Sequence, residues 1–280
     1  MFDWVTDHKI PFGNTMRVFI DLLQAHLGSF FDVVTAVVEF IVDGSAGVLI
    51  FFPPIVVILA FAAFAYLLQR SWKLSLFVFL AFLFIWNQGY WEDTMKTISL
   101  VVWSAATSIL VGTPIGVMAA HRPRLYAFLH PVLDMMQTLP TPVYLIPMIA
   151  LLGIGYAPGL IATLIFALPA PIRLTHLGIS STPVALKEAG EAFGATAHQL
   201  LWKVELPHAL PTIMAGVTQC IMLSLSMVVI AGMVGAEGLG ADVIKALGTV
   251  NIARGFEAGA AIVLLAIVLD RMCRVKGAHA

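Results

Sequence analysis

Long apolar runs, each near the length of a membrane-spanning helix, alternate with short charged breaks along most of the chain. A helical span needs about 20 mostly apolar residues, and on that measure the pattern predicts about seven. Residues 48–68 form the first, where Pro53 and Pro54 should bend or delay its start. Residues 74–90 are shorter but uncharged, and 97–120 are a clean candidate. Residues 125–172 carry Asp134 as their only charge and are long enough for two spans, broken near 153–159. Residues 209–235 give another, and 255–273 the weakest, because Glu257 and Asp270 flank its apolar centre.

The segment ahead of these spans has a different pattern. Arg17, Asp21, Gln24, Gly28, Asp32, Thr35, Glu39 and Asp43 recur at steps of three and four, and Phe19, Leu22, Leu23, Phe30, Phe31, Val34 and Val38 fill the gaps. This is the period of an amphipathic helix with a narrow acidic stripe. It is expected to lie at the outer interface, packed on lipid or on other spans. The alternative is an imperfect eighth span, which would bury Asp21, Asp32 and Glu39 at a cost.

Proline is dense from Pro114 onward, at 131, 140, 142, 147, 158, 169 and 171. Interrupted helices survive in a bilayer where protein or a water-filled cavity satisfies the freed backbone groups, and in transporters they mark pathway-lining parts. Proline is also simply common in membrane helices.

Composition agrees with the pattern. Of 280 residues, 60% are hydrophobic and 11% charged, with a mean hydropathy of +0.96. A soluble domain carries about a quarter charged residues, so an all-α integral membrane protein is expected. The net charge of -1 gives no field for nucleic acid. Cys220 and Cys273 fit neither a disulfide nor a metal pattern, and no metal or cofactor is expected. The opening MFDWVTDHKIPFG has no basic segment followed by an apolar one, so no cleaved leader is expected.

Lys and Arg set the orientation. With the N-terminus outside, Arg70, Lys73, Arg122, Arg124, Arg173, Lys187, Lys203, Arg271, Arg274 and Lys276 fall inside. Lys96, Lys245 and Arg254 fall in outer loops, with Lys9 and Arg17 in the N-terminal segment.

That orientation puts a polar stretch, residues 182–207, in the cytoplasm. Thr182 is expected as an N-cap with Pro183 as first helical residue, and Gly194 is placed to end the helix. Thr196 and Gln199 read as a capping box for a second short helix, which should stop before Pro207, with Pro211 opening the next span. Ala189, Gly190, Ala192, Gly194 and Ala195 keep the pair slim, so that another backbone can approach. The expected object is two short helices with a glycine elbow, either a docking knob or an ordinary cytoplasmic hairpin.

Glu188-Ala189-Gly190, three residues, Gly194, nine residues, then Val204-Glu205-Leu206-Pro207 resembles the EAA signature of ABC-importer permease subunits. The family pattern has Ala where Gly190 stands and Ile where Val204 stands. Met136 to Pro140, Tyr144 to Pro147, Ala231 to Gly240 and Ala261 to Arg271 resemble, more narrowly, the glycine betaine/proline betaine/choline permeases. The likeness covers roughly residues 90–275. It implies a type I importer transmembrane domain over 94–275, with residues 1–93 as the N-terminal helix and accessory spans. It also implies a homodimer in the bacterial inner membrane, two copies of a separate ATP-binding subunit, and an extracytoplasmic substrate-binding protein. Glu188, Ala189, Gly190 and Gly194 would form the ATPase-docking helix, and Leu206 and Pro207 its join to the next span.

The chain has no Gly-Lys dipeptide, hence no phosphate loop, and no H-E-x-x-H. It is expected to be a transporter subunit and not an enzyme, with ATP hydrolysed by the partner. Asp134 is expected to pair with an inner-face arginine, Arg124 or Arg173. Gln137, Thr138, Pro140 and Tyr144 are the candidates for pathway or gate. Competing readings are a permease for another small solute, an ion-driven carrier, and a membrane enzyme or scaffold. The last would need clustered intramembrane acids or histidines, and the sequence has none.

Overall fold

The computed structural model describes residues 12–274, and these form helices and connections without a strand. The first helix, α1, runs unbroken over Phe12–Phe51. A hairpin follows, α2 (Pro54–Gln69) and α3 (Trp72–Asn87), turned by Arg70 in the left-handed conformation at φ 45°. Then come α4 (Trp91–His121), α5 (Pro123–Thr138), α6 (Thr141–Leu152), α7 (Tyr156–Ala167) and α8 (Pro169–Ser180). The polar stretch supplies α9 (Val184–Ala192) and α10 (Ala197–Leu200), with one turn of π-helix at Leu201–Glu205. The chain closes with α11 (Leu206–Ser226), α12 (Val228–Met233), α13 (Leu239–Gly248) and α14 (Ile252–Cys273).

By length and composition five of these stretches can cross a membrane: 13–51, 91–121, 156–180, 197–233 and 252–273. A sixth is the pair α5–α6, bent by 93°. With the two shorter hairpin helices this agrees with about seven spans plus an N-terminal helix.

The first expected span is redrawn. Residues 48–51 belong to α1, and the chain breaks at Phe52 and Pro53, because Pro54 has no N–H to continue a helical ladder. The amphipathic helix packs on other spans, one of the two settings expected for it. Its early residues are exposed, but from Thr35 onward it packs into the protein. Thr35 Oγ1 donates to the Leu152 carbonyl, Ser99 donates to the Val42 carbonyl, and Trp103 Nε1 donates to Ser45. Val42 is buried with Leu100, Tyr156 and Leu160. The leader reading rests mainly on residues 1–11, which, like Lys276, lie outside those described.

Helix α8 is central because glycines let its neighbours close on it. A Cβ at Gly116 of α4 would stand 2.7 Å from the Ile172 carbonyl oxygen. One at Gly216 of α11 would stand 3.0 Å from Leu174 Cβ. The largest apolar cluster joins the hairpin (Ile58, Phe82, Ile85) to the start of α4 (Trp91, Met95) and to α14 (Leu265, Val268). At the far end of the hairpin, Gln69 donates its amide N–H groups to the carbonyls of Met272 and Arg274, satisfying acceptors that a helix C-terminus leaves open.

Candidate functional site

The polar stretch forms the two-helix unit expected, with two corrections. Helix α9 starts one residue late: Pro183, at φ -54° and ψ 133°, holds the extended cap position, and its side chain has nothing to donate or accept. Thr182 does not cap; its side chain is buried at 4% exposure. The end of α9 is as expected. Gly194 N–H donates to the Glu191 carbonyl and Ala195 N–H to the Gly190 carbonyl, the two bonds of a Schellman motif with Gly194 at φ +78°. A side chain there meets open space but a strained backbone. Gly194→Ala should therefore destabilise the loop by about 1–2 kcal/mol, read as faster amide exchange over residues 184–205.

The capping box closes reciprocally. Gln199 N–H donates to Thr196 Oγ1 at 3.3 Å, and Thr196 N–H donates to Gln199 Oε1 at 2.9 Å. The second correction follows. The chain does not stop before Pro207, and Pro211 lies inside a helix instead of opening one. A π-turn, in which Leu206 N–H reaches the Leu201 carbonyl, joins α10 to α11, so that 197–233 is one continuous helix. The wider turn accommodates a proline that has no N–H for the usual ladder.

No residue of α9 is buried. Glu188 and Ala189 are exposed, and Gly190 is half-buried. A Cβ at Gly190 would come 2.8 Å from Leu200 Cδ1, so this glycine makes room for the loop's own second helix. Leu206 is half-buried and Pro207 exposed at the join. Two features were missed in the sequence. Phe193, beside the glycine elbow, is 93% exposed, with Val184 and Leu186 also uncovered. The second is Glu205, 2% exposed, whose carboxylate meets Lys187 Nζ at 2.9 Å and His121 Nε2 at 2.8 Å. No local spacing signals it, since His121 lies in another helix.

At the same end of the bundle Asp134 pairs with Arg173 at 2.6 Å, the second of the two arginines expected, and with His130 at 3.0 Å. Tyr126 stacks on His176 with ring centroids 3.6 Å apart, fastening α5 to α8. The pathway candidates sit at the α5–α6 bend. Thr138 and Pro140 are exposed, Gln137 is half-buried, and Thr138 Oγ1 donates to the Asp134 carbonyl. Tyr144 packs inward against Leu145, Ala162, Met227 and Val234. At the opposite end Lys96 pairs with Glu237, and Arg254 with Asp242 at 3.0 Å.

The family of binding-protein-dependent transport system inner membrane components matches residues 112–275. The glycine betaine transport system permease protein OpuAB of Bacillus subtilis is 44% identical over 264 residues, covering 94% of this chain and 93% of that one. The glycine betaine/proline betaine permease ProW of Escherichia coli is 40% identical over 272 residues, covering 96% and 77%. A solved inward-facing structure of the MetNI methionine ABC transporter superposes with a TM-score of 0.58 at 24% identity, over 64% of this chain and 90% of that one, which speaks to the fold alone. The family match and the identity to these permeases over nearly the whole chain decide the assignment: the chain belongs to the family of binding-protein-dependent transport system inner membrane components and is the permease subunit of an ABC importer.

Proposed function

We propose that the chain imports quaternary ammonium compounds, glycine betaine, proline betaine or choline, as a homodimer driven by two copies of a separate ATPase. The observation that carries this is the 40–44% identity, over nearly the whole chain, to permeases named for glycine betaine and proline betaine. A substrate-binding protein delivers solute at the face holding Lys96 and Glu237. The N-terminus lies outside, and the coupling loop and C-terminus lie in the cytoplasm of a bacterium with the chain in its inner membrane. Residues 94–275 form the transporter domain, with loop 182–207 as its ATPase contact, and residues 1–93 are accessory.

In this reading Glu188, Ala189, Gly190 and Gly194 make and end the docking helix, and Leu206 and Pro207 join it to α11. The exposed faces of Phe193 and Val184 favour a covering partner. Gln137, Thr138, Pro140 and Tyr144 line or gate the path, and their place at a 93° break in a span supports that assignment. A quaternary ammonium is recognised by aromatic faces, and the selective cage belongs to the binding protein. The test is uptake of labelled glycine betaine into proteoliposomes holding the chain, its ATPase and its binding protein. Excess glycine betaine, proline betaine or choline should compete, whereas taurine, nitrate and methionine should not. Uptake that persists without the ATPase would instead favour an ion-driven carrier.

A further inference from the structure

The loop read above as the ATPase contact has few attachments to the rest of the molecule. None of the residues of α9 is buried, and the helix packs on α10 and the π-turn that follow it. Its charged connection to the body is Lys187, which reaches Glu205 Oε1 at 2.9 Å. The other oxygen of that carboxylate takes His121 Nε2 at 2.8 Å, at the last residue of α4. His121 Nδ1 faces the Val117 carbonyl at 2.9 Å, which fixes the ring on its own helix. Ile179, Ala209 and Ile213, with Val117, Ala120, Leu201 and Leu206, form an apolar cluster at the same end of the bundle.

One carboxylate therefore ties three separate elements: the docking helix, the end of α4, and the root of α11. A buried carboxylate between a lysine and a histidine is poor evidence for stability, since apolar side chains of similar volume would often serve as well. Removing one partner is costly, because the remaining charge is left buried.

Resting on the docking reading, we infer that Glu205 is a positioning residue for energy coupling. It makes displacement of α9 by the ATPase a displacement of α4 and α11. When the joint is cut, the loop still docks and the ATPase still turns over, but α9 swings on its elbow without moving the spans.

The experiment uses the complete complex in proteoliposomes and measures solute imported per ATP hydrolysed. Glu205→Gln keeps the side-chain volume and removes the charge. It should co-purify with the ATPase and hydrolyse ATP, while import per ATP falls about tenfold, a common size for a coupling between sites. Lys187→Met should do the same, and Lys187→Arg, which keeps the charge, should retain the wild-type ratio. A purely structural role would not separate hydrolysis from import. An unchanged ratio in Glu205→Gln overturns the inference, as does loss of import and of ATPase binding together, which would make Glu205 a folding residue. Failure of the wild-type chain to bind an ATPase would instead sink the docking reading itself.

Discussion

A chain carrying Glu188→Arg should reach the membrane folded and without its ATPase. Glu188 is exposed on a helix that buries nothing, so reversing its charge disturbs no core contact. Surface substitutions away from special features usually change stability by less than about 0.5 kcal/mol. On the docking reading proposed above, the same change sets a repulsion against the partner at close range, and breaking a charge pair desolvated across an interface costs about 2–5 kcal/mol, a factor of roughly 30 to several thousand in affinity. The readout is mass spectrometry of what co-purifies in mild detergent, together with uptake. Wild type should bring down a phosphate-loop ATPase, and the variant, at equal yield and melting temperature, should bring down none and import nothing. Equal recovery of the ATPase by the two chains would place the contact elsewhere.

Gly240→Ala should fail at an earlier stage, in folding. A Cβ at this position would lie 2.1 Å from the Val228 carbonyl oxygen and 2.7 Å from its carbon. Both are backbone atoms of the facing helix and cannot rotate away. From the other side, a Cβ at Gly232 would meet Ala241 N at 2.6 Å. Helices α12 and α13 thus touch main chain to main chain, and one methyl must prise them apart. The cost should be about 3 kcal/mol or more, at the upper end for overpacking. Gly259→Ala is the control, since it meets nothing within 4 Å in the middle of α14 and should be neutral or stabilising by up to about 1 kcal/mol. The recovery of monodisperse protein from equal expression separates the two.

The parts legible in the sequence were those written in local code. The glycine elbow and the Thr196–Gln199 box each lie within a few residues of chain, and both form as spacing predicts. The apolar runs located the spans because length and charge deficit suffice for that. Where Thr182 failed as a cap, Pro183 had taken the cap position, and a preference scale does not say which of two adjacent candidates wins. Helix α1 outran its expected bounds because Gly44 and Gly47, tolerable in a helix, offer no stop before Pro53 and Pro54. The π-turn at 201–205 was invisible because Pro207 and Pro211 read as breaks, whereas a wider turn accommodates Pro207 in place. The Glu205 joint brings together residues 84 apart, a pairing that only the fold can make.

The hairpin of α2 and α3 carries a consequence for the surrounding lipid. Each arm has 16 residues, about 24 Å of helix at 1.5 Å per residue. The hydrocarbon of an average bilayer is about 30 Å thick. The neighbouring α4, at 31 residues, has length to spare and can tilt, but the hairpin cannot stretch, and Gln69 anchors its turn to the end of α14. A wall this short favours a thin bilayer on this flank, with Trp72 and Trp86 exposed near its two ends. Acyl-chain length becomes a variable of the transporter: short-chain lipids relieve a deformation that long-chain lipids impose, and the molecule should gather thin membrane around one side of itself.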